Sequence, residues 1–477
     1  MRFRYCGPLV AVLLASCASA PPPRGDDEFT RHGVALATSA ADREAALADA
    51  SKRLAQPLAV DDAIAIALAR SPDVAVRLAE LDLEYAELIE AGEVSNPSLE
   101  IAVLDSSEPD ARKQINVSLM QGIADLFLLR SRTALARGEF SVAQGEAVRE
   151  IQELIGDVAE DYYELLGAEH VARMREVVAH GALAAEKMAE SLHEAGNLPA
   201  LERDMHRAEA VDARLEADEA AADATQARHA LARRLGLAVD EPFVLADALA
   251  LPVAAEDEPD ALLSRARDAR LDLAGARKRA EVLAQSYGVT RRFRWLGDVE
   301  IGFEYEREPD GARLRGPAVA LELPIFHRNR AAVARAEARV DLAEARALGL
   351  ERAIGHEVRA AADAVRAARG RVELHRERLV PLRERIVART QEQVNFMLAG
   401  VFELIEAKHD EYDAYQGYLE ALRDYWIART QLATAIGAAL PSAAGAGTEA
   451  AGAIELPEAA RPAAHEGHHD HHDGHQP

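Results

Sequence analysis

The chain has 477 residues, a formal net charge of −26 at pH 7, and a composition that is 49% hydrophobic but only 5% aromatic. Nucleic acid carries charge of the same sign, so no nucleic-acid partner is expected. Alanine is the commonest apolar residue, which favours helices packed closely through small side chains over one broad aromatic core. The sequence contains no HExxH, GxSxG, P-loop or dinucleotide fingerprint, so it predicts no enzyme.

The N-terminus has the pattern of an export signal in residues 1–16. Arg2 and Arg4 precede an apolar run that is too short to span a bilayer. The stretch from Leu14 to Cys17 resembles a bacterial lipobox, which implies a lipidated mature N-terminus at Cys17, and Ala18 after it implies sorting to the outer membrane. An ordinary signal peptide with its cleavage site at residues 18–20 is the alternative. We expect residues 17–57 to form a lipidated tether and an extended segment.

The rest of the chain carries an internal repeat with a shift of about 200 residues. The matching pairs are RSRTALARGE (130–139) with RNRAAVARAE (328–337), EPDAR (108–112) with EPDGAR (308–313), EAGNLPALE (194–202) with LAGVFELIE (398–406), and LARRLG (231–236) with LATAIG (432–437). A period this long indicates two copies of a whole substructure. The predicted units are a first repeat at 58–239, an equatorial linker at 240–258, a second repeat at 259–440 and a flexible His-rich tail at 441–477.

Two long helical segments dominate each repeat, because apolar residues recur there at spacings of three and four. The predicted helices cover residues 125–193, 201–235, 329–398 (interrupted at Pro381) and 402–436. We expect Gly196 and Gly400 to mark the tips of two helical hairpins, with glycine relieving each turn. Alanine-rich helices of this length must bury their apolar stripes against partners, as coiled coils do.

Four short segments alternate apolar and polar residues instead, which predicts strands at about residues 97–104, 113–120, 297–306 and 314–323. Their apolar positions resemble a lipid-facing band, and Trp295 and Tyr305 stand near strand ends like girdle residues. Soluble hairpins lying on the helices are the alternative. Four strands cannot close a membrane barrel, and an open edge in lipid leaves backbone groups unpaired. The sequence therefore predicts an oligomer.

These features together resemble the TolC family of outer-membrane efflux proteins. The resemblance covers nearly all of residues 61–440, including LPIF (323–326) after the last strand, the two tips and the terminal AIG (435–437). It implies a mostly α-helical homotrimer with a small twelve-stranded membrane barrel in outer-membrane lipid and a long periplasmic α-barrel. It also implies a passive duct that docks on a periplasmic adaptor served by an inner-membrane pump. The docking residues would be Gly196, Asn197, Leu198, Gly400, Val401 and Phe402.

The same resemblance places an acidic gate just after the second tip. Glu403 and Glu406, at positions i and i+3, share one helix face, so three copies would ring the entrance with carboxylates. A solvated helix face is the alternative. The polar strand faces would give the lumen an acidic, cation-preferring wall, for which a merely water-compatible wall is the alternative. The carboxylates concerned are Glu100, Asp298, Glu300, Glu304, Glu306 and Glu322.

The chain ends in a histidine-rich tail that contains His465, His468, His469, His471, His472 and His475. Since the spacing follows no ligand pattern, the sequence predicts a flexible chelator with weak affinity for Zn, Cu, Ni or Co, and no required cofactor. A solvated tail without a role is the alternative. The tail and the acidic lumen together favour divalent heavy-metal cations as cargo. Export of drugs or other organic compounds is one alternative function, and a pore-less, lipid-anchored periplasmic metal-binding scaffold is another.

Overall fold

The computed structural model describes residues 29, 36, 40–105, 112–246, 249–293, 295, 299–322 and 329–441. The helices in these ranges are α1 (Ala40–Leu54), α2 (Val60–Arg70), α3 (Pro72–Gly92), α4 (Ala124–Glu194), α5 (Ala200–Arg234), α6 (Pro259–Ala269), α7 (Leu271–Arg292), α8 (Arg330–Leu374), α9 (Val380–Asn395) and α10 (Val401–Ile436). The strands are β1 (Ser98–Leu104), β2 (Gln114–Gly122), β3 (Val299–Arg307) and β4 (Arg313–Leu321). A mostly helical chain with four strands, as the sequence predicts, is confirmed.

The four strands form one antiparallel sheet in the order β1-β2-β3-β4. Because directly paired residues share a face, the register sorts the alternating sequence into two faces. Leu99, Leu119 and Phe303 lie in one row of the apolar face, and Glu100 and Glu304 lie in a row of the polar face. β1 and β4 are the two edges of this sheet, so the described part of a single chain does not close it.

Each strand pair leads into a helical hairpin. α4 has 71 residues, so at 1.5 Å per residue it is about 105 Å long. α4 ends at the first tip, where the chain reverses direction and continues as α5. In the second repeat α8, a π-helical turn (His375–Leu379) and α9 take the place of α4, and α10 returns from the second tip. Pro381 is the second residue of α9, and its missing N–H accounts for the irregular turn before it.

Left-handed backbone conformations fix the register between the two hairpins. Gly196 (φ 76°) ends α4, and Gly236 (φ 69°) ends α5 40 residues later. Met397 (φ 59°) and Gly437 (φ 72°) repeat this pair at the same separation of 40 residues. The residue that corresponds to Gly196 is therefore Met397. Gly400 instead precedes α10 with φ −84°, so the prediction that glycine relieves the turn is right for Gly196 and wrong for Gly400.

Each repeat has a hydrophobic core of its own near the equatorial linker. The first core packs α2, α4 and the end of α5 against Phe243 and Leu245. The second core packs α6, α8 and α10. Leu58 forms an isolated parallel bridge with Leu245, which joins the segment before α2 to the linker. The linker thus holds the two halves by contact with both cores.

A hydrogen-bonded network fastens the linker to α10. The side chain of Arg429 is only 4% exposed and donates to Oε2 of Glu256 at 2.5 Å. The hydroxyl of Tyr425 donates to Oε1 of the same carboxylate at 2.7 Å, and Arg369 donates to that oxygen at 3.3 Å. Burial, together with the hydrogen bond to Glu256, raises the pKa of Tyr425 to about 12. The hydroxyl therefore remains a donor at neutral pH.

Candidate functional site

The polar face of the sheet brings together most of the carboxylates predicted to line a lumen. Glu100, Glu300 and Glu304 are exposed on this face. Glu306 is half-buried and accepts a hydrogen bond from Nε2 of Gln114 at 2.7 Å. Glu322 follows β4 and is exposed, whereas Asp298 lies outside the described residues. Four carboxylates per chain therefore share one strand face, as the period-two pattern predicts.

The opposite face of the sheet is apolar and exposed. Four large side chains there are each half or more exposed to solvent: Leu99 (61%), Ile101 (62%), Phe303 (50%) and Val319 (68%). A contiguous exposed apolar patch marks a membrane or protein contact. Trp295 precedes β3 at the helical end of the sheet and is 52% exposed. None of the described helices combines the length and the hydrophobicity needed to cross a bilayer.

The two hairpin tips close with the same backbone motif. At the first tip the amides of Gly196 and Asn197 donate to the carbonyls of His193 and Leu192, both at 2.8 Å. At the second tip the amides of Met397 and Leu398 donate to the carbonyls of Val394 and Gln393, both at 2.9 Å. This pair of bonds is the Schellman motif, which requires a left-handed residue after the helix. Glycine fills that position at the first tip, and methionine fills it at the second.

The side chains at the two tips differ in chemistry. The first tip exposes Gly196 and Asn197 and half-buries Leu198. The second tip exposes three consecutive apolar residues, here called the apolar tip: Phe396 (77%), Met397 (94%) and Leu398 (78%). These residues were not predicted from the sequence, because the match of EAGNLPALE (194–202) with LAGVFELIE (398–406) pairs Gly196 with Gly400. The equal spacing of Gly196–Gly236 and Met397–Gly437 was the signal that could have found them.

The predicted gate residues line a groove between the hairpins. Glu403 and Glu406 are exposed on the first two turns of α10 and border a cavity of about 590 Å³. α5 supplies further carboxylates to the opposite wall, including Glu202. His206 and Phe402 bridge the two walls, with ring centroids 4.0 Å apart and planes 20° apart. Phe402 is therefore half-buried in a contact within the chain, and Val401 remains 41% exposed.

Carboxylates on two facing helices could in principle hold a metal ion. Across the described ranges, however, no group of three or more histidine, cysteine, aspartate or glutamate side chains has the arrangement of a metal site. In the hairpin register Glu202 corresponds to Glu403, and Met205 corresponds to Glu406. The groove is therefore acidic but asymmetric between the repeats.

The π turn of the second hairpin faces a poorly satisfied stretch of α10. The Nδ1 atom of His375 and the hydroxyl of Tyr418 are buried, and neither has a hydrogen-bond partner in the part of the chain that the structure describes. His375 also packs against Gly417, where an added Cβ would lie 2.7 Å from the imidazole Cε1. A buried polar atom without a hydrogen-bond partner lowers the stability of the surrounding structure, because its lost hydration is not replaced. The π turn thus interrupts the second hairpin at a level where α4 is a continuous α-helix.

Two predicted sites fall outside the described residues. One is the lipidation site Cys17, and the other is the chelating tail with His465, His468, His469, His471, His472 and His475. Both stay predictions from the sequence.

Comparison with known proteins identifies the fold but no sequence relative. No family model matches the chain, and no curated protein matches it. Solved structures do match: CusC, described in connection with transmembrane channel formation, is 14% identical with a TM-score of 0.65, over 80% of this chain and 92% of CusC. The CmeC outer-membrane channel of Campylobacter jejuni is 15% identical with a TM-score of 0.65, over 80% and 86% of the two chains. The open state of the MtrE outer-membrane channel of Neisseria gonorrhoeae is 16% identical with a TM-score of 0.64, over 80% and 89%.

The chain has the fold of these outer-membrane channels. The fold implied by the resemblance to the TolC family is thereby confirmed. The solved structures named above are channels and not enzymes. At identities of 14–16% this likeness concerns the fold alone.

Proposed function

We propose that this chain is the outer-membrane channel of a tripartite efflux assembly and works as a homotrimer. The open four-stranded sheet carries the proposal. Its apolar face suits lipid, but each unpaired backbone group on an edge costs several kcal/mol in a bilayer. Pairing β4 of one copy with β1 of the next removes every edge once a ring closes. The chain therefore needs further copies of itself to enter a membrane.

The charge on the polar face favours three copies over two. Two copies would make an eight-stranded barrel, whose interior is just wide enough for side chains. Such a barrel would enclose the glutamates Glu100, Glu300, Glu304 and Glu306 of both chains with little water, at a large desolvation cost. Three copies make a twelve-stranded barrel in which water can hydrate the carboxylates. The pseudo-twofold repeat then gives a tube with six similar hairpins.

The hairpins suit a long conduit on the periplasmic side of the barrel. At about 105 Å, α4 is more than three times the ~30 Å thickness of a bilayer core. The tips lie at the end away from the sheet, so we place the docking of a periplasmic adaptor there, with the apolar tip as an additional contact. An inner-membrane pump supplies the energy, and this chain supplies a passive, gated passage. Lipid on Cys17 would anchor each copy in the outer membrane.

Divalent heavy-metal cations are the cargo that we favour. The carboxylates of the polar strand face attract cations, and those of Glu403 and Glu406 attract cations to the entrance. The histidine-rich tail adds a chelating segment that an organic cargo would leave unexplained. Export of drugs or other organic compounds through the same channel is the second candidate, favoured by the fold alone.

The first experiment measures assembly and conduction. The full chain, purified from outer membranes in detergent, should have the mass of three lipidated copies and form cation-selective pores in planar bilayers. A monomer without conductance would favour the pore-less scaffold and contradict the channel.

The second experiment addresses the cargo. A deletion strain complemented with the full chain, or with a chain that stops at Pro462, is grown on Zn, Cd, Co, Ni, Cu and hydrophobic drugs. Sensitivity of the deletion strain to metals alone supports metal export, and failure of the truncated chain to rescue growth gives the tail a role. Sensitivity to drugs with normal metal tolerance would contradict the metal assignment and leave the channel intact.

A further inference from the structure

The apolar face of the sheet carries three arginines at the end furthest from the helices. Arg313 and Arg315 are the first and third residues of β4, and Arg307 is the last residue of β3. The register pairs Arg307 with Arg313 and Tyr305 with Arg315. By the alternation along each strand, all three arginines lie on the same face as Phe303 and Val319. We call Arg307, Arg313 and Arg315 the arginine row.

The arginine row is not neutralised within the described chain. Arg307 donates one hydrogen bond, from Nη2 to the carbonyl of Lys113 at 3.2 Å. Among the described residues, no carboxylate forms an ion pair with Arg307, Arg313 or Arg315, whereas the neighbouring Lys113 does pair with Asp105 at 3.1 Å. Like charges directly opposite each other on a sheet repel. Among the described residues, then, this row of like charges has no carboxylate partner, and an external anion would relieve the repulsion.

The position of the row indicates which anion it meets. A nine-residue strand tilted by 35–45° spans roughly 20–25 Å along the bilayer normal, about the height of a lipid-facing apolar band. The long helices begin at the other end of the sheet, so in the proposed orientation the row lies at the outer edge of the band. Tyr305 lies beside Arg315, where aromatic girdle residues occur. Arginine at this depth reaches the headgroup layer and not the hydrocarbon.

We propose that the arginine row is a binding site for the phosphate groups of a phosphorylated lipid in the outer leaflet. This inference rests on the proposed function, because only a membrane-inserted barrel brings the row to that leaflet. Planar guanidinium groups bind phosphate through two parallel N–H donors, which favours arginine over lysine for such recognition. Continuity with the apolar face commits the site to a lipid, whose acyl chains cover Phe303 and Val319 while its phosphate meets the row. A closed trimer has three such sites.

The test uses the intact trimer in detergent and a defined lipid. Native mass spectrometry records the binding of diphosphorylated lipid A, of lipid A with one phosphate removed, and of phosphatidylcholine. Wild type should bind the diphosphorylated lipid A best. The variant Arg313→Gln with Arg315→Gln should bind it at least about tenfold more weakly, because two charge-assisted contacts are lost. Lysine at both positions should restore part of the affinity, since the charge returns without the planar fork.

A matched control removes the same charge elsewhere. Arg335→Gln with Arg339→Gln changes two exposed arginines of α8, outside the sheet, and should bind lipid A as wild type does. Equal binding by the wild type and the Arg313/Arg315 glutamine variant, or equal binding of lipid A and phosphatidylcholine by the wild type, would overturn the inference. Mass and conductance of the same samples keep the two proposals apart. A conducting trimer without phosphate preference refutes the lipid site alone, whereas a wild-type chain that neither trimerises nor conducts refutes the channel and the site with it.

Discussion

Met397 gives the sharpest test of how this chain balances stability against function at the second tip. A non-glycine residue in the left-handed region costs about 1–2 kcal/mol, and Met397 has φ 59°. Its side chain is 94% exposed, so its removal loses almost no burial. Glycine recovers the strain but loses about 0.5–1 kcal/mol through the entropy of the unfolded chain. Met397→Gly should therefore stabilise each chain by about 0.5–1 kcal/mol.

The first tip supplies the matched control with the opposite sign. Gly196→Ala places a Cβ at the corresponding left-handed position, with φ 76°, and should destabilise the chain by about 1 kcal/mol. Thermal unfolding midpoints of the purified wild type, Met397→Gly, Met397→Ala and Gly196→Ala, measured side by side at one protein concentration, give the order. If Met397→Gly unfolds at a lower temperature than Met397→Ala, the strain argument is wrong.

The same glycine substitution should weaken adaptor docking. A methionine side chain that is fully buried at an interface contributes about 1.5–3 kcal/mol, so its loss should reduce affinity roughly tenfold or more per contact. Once the adaptor has been identified, titration of the purified adaptor measures this loss of affinity. Growth of the complemented deletion strain reports the same loss in cells. A variant that is more stable and docks as the wild type does would remove the apolar tip from the docking surface.

Four other predictions follow from the described contacts. Arg429→Met removes the ion-pair partner of Glu256 and should lower the free energy of unfolding by about 3 kcal/mol in chemical denaturation. Adding Glu256→Gln should recover part of this loss. An equal loss in the double variant would contradict the pairing. Burial, and then the nearby carboxylates of Asp157 and Asp161, raise the pKa of Glu160, so its ionised form is disfavoured in the folded state. Glu160→Gln should raise the unfolding midpoint at neutral pH. It should have no effect at a pH below the pKa of this glutamate in the unfolded chain, where the carboxyl is protonated in both states. A lower midpoint at neutral pH would contradict the reasoning. Amide hydrogens in the π turn (His375–Leu379) should exchange faster than those of residues 174–178 in α4, and equal protection would show that the turn is rigid. Glu403→Gln with Glu406→Gln should raise the concentration of Co²⁺ that blocks single-channel current, with Glu420→Gln as the control; unchanged block would place these carboxylates away from the passage.

Much of the architecture could be predicted from the sequence because it depends on local periodicity. The alternation in residues 299–305 places Phe303 and Glu304 on opposite faces whatever the strand pairs with. The apolar spacing of three and four in residues 125–193 predicts the long helix observed as α4. The number of strands in turn predicts an oligomer, since the four described strands leave two edges. Each of these properties follows from the order of residues within one element.

Other features required the tertiary structure, because they depend on how separate elements meet. The left-handed residue of the second tip is Met397, 40 residues before Gly437, and not the nearby Gly400 that the sequence repeat favours. The stack of His206 on Phe402 joins residues of two hairpins. The arginine row exists only because the β3–β4 register sets Arg313 opposite Arg307. The sequence by itself determined which residues share a face of each strand and helix. The register of the strands and the side-chain packing of the helices decided which faces came together.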